Sequence, residues 1–332
     1  MTRLTRRQML VGSAAAAFAA AIPFAAPTPV GAAAPAIGRQ APGFYRYKVG
    51  SIEVTVVTDG INQRPITDGF VLNATKDEVN AALVAAFMEK DVLVTPYNPI
   101  VVNTGAKLAV IDTGTGEAAN RASQGANGQL LTNLVVAGID ANMVDVVIIS
   151  HYHTDHLNGL LKADDSLAFP NAEILVPAPE HKYWMDDGEL SRASTPRIQG
   201  LFKNVRRVMR GEVLKRLRTY AWGQEVIPGV TAVGTPGHTP GHTSHIVTSG
   251  ASKVYVQGDL TNAFLFMRNP GWHPCADHDP IQAEATRRKV YDMLVAEKML
   301  VQGFHYPFPA LAHVEKTATG YREVPVPWNP TI

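Results

Sequence analysis

His151, His153, Asp155 and His156 fall within six consecutive residues, directly after the apolar run VDVVII at 144–149. Neutral imidazole and carboxylate suit zinc or iron where thiolate is absent. The chain has one cysteine, Cys275, which excludes both a multi-cysteine zinc site and an internal disulfide framework. His151 and His153 are two apart, so at a strand end both side chains point the same way. Asp155 and His156 follow on the turn beyond. Three more candidates stand in the same setting: VTAVGTPGH reaches His238, KVYVQGD reaches Asp259 and MLVQGFH reaches His305. Each comes just after an apolar strand pattern, where loops collect at one edge of a sheet. A carboxylate such as Asp259 can bridge two cations. Two divalent cations ~3.5–4 Å apart share a water and lower its pKa toward ~7, giving hydroxide at neutral pH for attack on a carbonyl or phosphorus centre. No serine nucleophile is needed, and no G-x-S-x-G elbow is present.

The elements that must position these residues alternate between strand and helix. GSIEVTVVTDG (50–60) and PIVVNTGAKLAVIDTG (99–114) read as β-branched strands broken by glycine turns. VDVVIIS (144–150), NAEILVPAP (171–179), GVTAVGT (229–235), SKVYVQGD (252–259) and MLVQGFH (299–305) continue the strands. Three segments carry helix signals. In 75–90, Thr75 and Glu78 form a capping box and Val79, Leu83 and Phe87 share a face. The helix at 128–140 ends at Gly138, and the one at 279–298 starts with Asp279 as cap and Pro280 at its first position. No repeat or long linker interrupts residues 35–332, so one α/β domain is expected there.

Composition narrows the partners. The chain has 332 residues, 46% hydrophobic and 18% charged, with a formal charge of +1. A near-neutral balance gives no electrostatic case for nucleic acid or an anionic membrane surface. Residues 1–34 form an export signal: Arg3, Arg6 and Arg7 precede an alanine-rich apolar stretch, and small residues offer cleavage points near Gly31 to Ala34. Arg6-Arg7 after Thr5 resembles a twin-arginine signal. The apolar stretch holds Pro23 and is mostly alanine, which disfavours a stable membrane anchor. The mature protein is thus expected to be periplasmic or secreted.

Taken together, H-x-H-x-D-H, a later T-P-G-H, a G-D after a strand and a late histidine resemble the metallo-β-lactamase superfamily. VIDTG at 110–114, with Asp112, fits the same pattern. The resemblance implies an αββα sandwich of two mixed sheets flanked by helices, with a two-metal site at one edge. It implies that His151, His153 and His238 hold one cation, that Asp155, His156 and His305 hold the other, and that Asp259 bridges. Asp155 and Asp259 would be the catalytic carboxylates, with Asp112 orienting the ligands. The cofactors would be two divalent ions, zinc first, with iron, manganese and cobalt also chemically suited. PGFYRYKVGSIEVTVVTDG, AFPNAEILV, HTPGHTSHIV and GYREVPV are further similar to the methyl parathion hydrolase group, whose members are exported and cleave aryl phosphotriesters, esters or lactones.

The expected function is therefore exported hydrolysis of small neutral esters, lactones or aryl phosphotriesters. A mononuclear iron persulfide dioxygenase and a β-lactamase are the alternatives. His242, four residues after His238, is expected to stabilise the turn or support a ligand. Trp184 and Phe202 are candidate walls for an aryl or lactone group. The seven basic residues of 203–218 read as a solvated helix face. No Arg or Lys clamp is evident near the motifs, so a neutral pocket is expected. A homodimer is left open.

Overall fold

A computed structural model describes residue 38, residues 40–41 and residues 43–332. The export signal read at 1–34 lies outside the described residues. Two seven-stranded sheets organise residues 43–332. The first runs in the order β1 (Phe44–Val49), β2 (Ile52–Val57), β5 (Ile100–Asn103), β6 (Leu108–Ile111), β7 (Val146–Ile148), β8 (Glu173–Pro177), β9 (Leu217–Tyr220). Its last four strands are parallel. The second runs β10 (Glu225–Ile227), β11 (Val230–Gly234), β12 (Thr243–Ser249), β13 (Ser252–Val256), β14 (Leu300–Gln302), β15 (Leu311–Lys316), β16 (Tyr321–Pro325), with β13 and β14 its one parallel pair. A separate ribbon pairs β3 (Gly60–Pro65) with β4 (Val92–Tyr97).

Side-chain alternation explains the layering. In β5, Ile100 and Val102 face the second sheet while Val101 faces the helices. Both faces are buried, so the strand reads as a continuous apolar run. Val54, Val56 and Ile148 meet Val230, Val247 and Val254 between the sheets. Each aliphatic side chain buried this way contributes roughly 1.5–3 kcal/mol.

The outer face of the first sheet is covered by helices that include α3 (Leu130–Val136), α4 (Thr154–Leu157), α5 (Ala178–Met185) and α7 (Pro196–Val208). The second sheet is covered by α10 (Pro280–Glu297), through Val290, Tyr291 and Leu294. The architecture is the αββα sandwich. A smaller cluster packs α1 (Lys76–Ala85) onto β4 and residues 263–266.

The capping box at Thr75 and Glu78 is formed. The helix it starts stops at Ala85, short of Lys90, because Phe87 turns the chain at φ 59°. Asp279 caps α10 through the Gln282 amide. The 203–218 segment is not one solvated helix. It holds the end of α7, the short α8 (Glu212–Arg216) and the start of β9, and Val205, Val208 and Val213 are buried among its basic residues. The α5 segment and α6 (Asp187–Arg192) carry no strong periodic pattern and were not expected as helices.

Candidate metal centre

The seven residues singled out by spacing come together at one edge of the sandwich. His151, His153, Asp155 and His156 leave β7, His238 follows β11, Asp259 follows β13 and His305 follows β14. Potential ligand atoms of His151, His153, His238 and Asp259 lie within 4.8 Å of one another, and those of Asp155, His156 and His305 form a second such group. All seven are buried.

Asp259 stands between the two groups. Its Oδ2 is 3.2 Å from His238 Nε2 and 4.0 Å from His151 Nε2. Its Oδ1 is 3.1 Å from His156 Nε2 and 3.0 Å from His305 Nε2. The backbone places this carboxylate through Gly258, whose φ is +55° and where a Cβ would lie 2.8 Å from His242 Nε2. Only glycine meets both conditions easily.

Outer partners fix which ring nitrogen faces inward. His156 Nδ1 donates to Asp112 Oδ2 at 2.7 Å, and His305 Nδ1 to the Pro96 carbonyl at 2.9 Å. His238 Nδ1 donates to Asp277 Oδ1 at 2.8 Å. His151 Nδ1 contacts Ser150 Oγ at 3.0 Å, which is itself held by Asp112 at 2.7 Å. In each case Nε2 is the nitrogen turned toward the centre.

Protonation follows from this crowding. Burial and the neighbouring His156 hold His151 well below the ordinary histidine range. Burial opposes charge on His156 and His238 too, but Asp259 with Asp112 raises the first well above its ordinary value, and Asp259 with Asp277 pushes the second up to about 9. Burial would raise the Asp259 carboxyl, yet His305 and His156 hold it well below its usual range.

The residues fit cations on a direct test. His151 Nε2, His156 Nε2 and Asp259 Oδ1 are buried without hydrogen-bond partners. Orphaned buried polar atoms of this kind are rare, and a bound cation would satisfy them. The donor set, imidazole and carboxylate without thiolate, suits zinc-like ions.

The chain belongs to the metallo-beta-lactamase superfamily, whose profile matches residues 92–298. It is a metal-dependent hydrolase. It is similar to an N-acyl homoserine lactonase of a Bacillus species, at 25% identity over 63% of this chain and 77% of that one. Among solved structures it resembles AidC, a dizinc quorum-quenching lactonase in complex with a product. The TM-score is 0.79 and the identity 26%, over 86% of this chain and 98% of that one. It also resembles the hydrolase AbOPH of the beta lactamase superfamily, at TM-score 0.78 and 25% identity over 88% of this chain and all of that one.

His242 stands apart from the two ligand groups. Its Nδ1 meets Thr235 Oγ1 at 2.8 Å, and its Nε2 accepts the Asp259 amide at 2.8 Å. It supports the Asp259 loop from behind.

Two expectations are corrected. Trp184 and Phe202 do not line the cleft over the centre. They are 1% and 0% exposed and stack on each other at 4.7 Å within the helix-side core. Trp184 Nε1 donates to Glu180 Oε1 at 2.7 Å, which gives the buried indole its polar partner. Trp184→Ala should therefore act on stability, lowering it by about 3–5 kcal/mol. Denaturant unfolding of the metal-loaded protein checks this, and an unchanged midpoint would return Trp184 to the pocket.

The cleft is also not neutral. Its volume is about 150 Å3, and Arg64 and Arg197 line it together with Phe70, Leu93 and Leu201. Spacing alone missed Arg64 and Arg197, because neither lies in a metal motif. It also missed Glu180, Asp277 and Arg287, which hold the site from behind. Asp277 sits in CADHDP, where the acid-rich run was the only local hint.

Proposed function

We propose that the chain is an exported hydrolase of small lactones and carboxylic esters that uses two zinc ions, with slower action on aryl phosphotriesters of the kind cleaved by the methyl parathion hydrolase group it resembles. One observation carries the reading: Asp259 stands between two sets of imidazoles whose Nε2 atoms are turned inward by outer hydrogen bonds to Nδ1. The lactonase relatives support the ester and lactone class.

His151, His153 and His238 would hold one cation, Asp155, His156 and His305 the other, and Asp259 both. When bound, the pair supplies Lewis acidity and lowers the pKa of water for nucleophilic attack. The protein contributes order. Asp112, Asp277 and the Pro96 carbonyl keep the ring protons on the outer nitrogens. Phe70, Leu93 and Leu201 give the substrate an apolar wall beside the reacting edge. No step requires a protein nucleophile, and Cys275 is not needed for the reaction.

An activity panel tests this on metal-analysed protein: an N-acyl homoserine lactone, a simple lactone, an aryl ester, a dialkyl aryl phosphotriester and a β-lactam. The expected result is two zinc-like ions per chain and turnover of lactone or ester above phosphotriester. A fully loaded protein inert to all five, or one holding a single iron and consuming oxygen with glutathione persulfide, overturns the reading. Export is tested by N-terminal sequencing of periplasmic material. It should begin between residues 25 and 36, and Arg6→Lys with Arg7→Lys should trap precursor. Exported protein still carrying Thr2 or Arg3 would refute the signal.

A further inference from the structure

Arg64, at the end of β3, and Arg197, in the first turn of α7, reach the same cleft from separate elements. Both residues are exposed at its mouth. Most arginines of the described chain pair with a carboxylate, as Arg206 does with Asp187 and the buried Arg287 with Asp277. Among the described residues, Arg64 and Arg197 form no such ion pair. Arg197 donates to the Ala276 carbonyl at 3.1 Å, which uses one of its five N–H groups. Arg64 lies beside the Tyr97 hydroxyl and is attracted by Asp155 and Asp259. Those two carboxylates face the imidazole cluster, and cations held there would answer their charge.

Two guanidinium groups also sense each other. Partial desolvation and the like charge of Arg64 hold Arg197 below its usual range, although both residues remain exposed to solvent. Placing two cations over a floor built for two dications is costly unless an anion enters. With Asp155 and Asp259 as the floor's carboxylates, the loaded cleft keeps a formal excess of positive charge before either arginine is counted. A guanidinium fork matches a carboxylate in bidentate geometry and is less strongly hydrated than an ammonium. The apolar side of the cleft, Leu93 and Leu201, suits a short hydrocarbon link between two polar ends.

We infer that Arg64 and Arg197 form a carboxylate clamp, so the preferred substrates are esters or lactones bearing a free carboxylate a few carbons from the scissile carbonyl. This rests on the ester and lactone reading above and refines its substrate class. The clamp acts on binding and orientation, while the reacting carbonyl sits at the cation edge.

The test compares 4-nitrophenyl hemiglutarate with 4-nitrophenyl pentanoate, which match in length and differ in charge. On the zinc-loaded protein at low salt, kcat/KM should favour the hemiglutarate by about tenfold or more. That ratio should fall severalfold in Arg64→Gln and in Arg197→Gln. It should also fall in the unmodified protein as salt rises, because a partly exposed charge pair is screened. The salt series keeps the test decisive if a variant does not fold. Calorimetry supplies a readout without turnover: glutarate should bind about tenfold tighter than monomethyl glutarate, and the Gln variants should lose that preference. If neither ester is hydrolysed, the hydrolase reading fails, while the glutarate comparison still decides the clamp. A substrate ratio near one, a ratio insensitive to both substitutions, or equal binding of glutarate and its monoester overturns the clamp.

Discussion

Asp259→Ala is expected to lower bound metal from two ions to one or fewer per chain and to reduce ester turnover by more than the ~10–100-fold typical of outer-shell changes. The carboxylate is 4% exposed and within 3.2 Å of His156, His238 and His305. Asp155, the other carboxylate of the centre, lies farther from His156 and His305, at 3.7 and 3.6 Å. Its loss also leaves three inward nitrogens facing a gap. His242→Ala should be milder, within that ~10–100-fold range, since His242 hydrogen-bonds to the centre through the Asp259 amide and otherwise only packs against the His151 and His238 rings, at 5.1 and 5.9 Å. Elemental analysis of dialysed protein alongside initial rates checks the order. Two retained ions and full turnover in Asp259→Ala would remove the bridging assignment. An effect of His242→Ala larger than that of His238→Ala would exchange their roles.

The second large effect is on stability. Glu180 is fully buried and accepts four hydrogen bonds. Tyr152 N–H and Trp184 Nε1 donate to one oxygen at 2.9 and 2.7 Å. Thr239 Oγ1 and the Gly241 amide donate to the other at 2.8 and 2.9 Å. Burial nevertheless raises its carboxyl above the ordinary value, so desolvation outweighs the four donors. Glu180→Ala removes a costly buried acid but strands four donors at about 1–3 kcal/mol each. The net loss should be about 3–5 kcal/mol, as when one partner of a buried polar set is deleted, and Tm should fall by roughly 10 °C. Tyr152 sits between His151 and His153, and Thr239 follows His238. Metal affinity should therefore weaken as well. Thermal unfolding with and without zinc measures both effects, and a Tm within about 2 °C of the parent protein would show the network to be dispensable.

The candidate metal ligands that the fold brings together were legible because their chemistry is written locally. Four candidate ligands within six positions follow one strand, and three more candidates follow apolar strands of their own. The αββα architecture was legible for a related reason: strands buried on both faces read as continuous apolar runs. The supporting residues were not legible. Glu180 binds residues 28 and 59 positions away in the chain, and Asp277 meets His238 across 39. No local period marks such partners. Trp184 and Phe202 were misassigned because an aromatic after a strand reads the same whether the chain folds it toward the cleft or under a helix. The arginines were missed because the ribbon of β3 and β4 and the start of α7 reach the cleft only in the folded chain.

The supply of ligands from both sheets has a consequence for biosynthesis. The loop after β7 and the residues that follow β11, β13 and β14 leave the ribosome at different times, and the N-terminal side is free to fold first. His151, His153, Asp155 and His156 emerge well before Asp259 and His305. A nascent chain can offer an early imidazole cluster, but neither group of candidate ligands is complete until β13 and β14 have paired. Selection of an ion by these groups would thus come late in the life of each molecule, once the second sheet has closed.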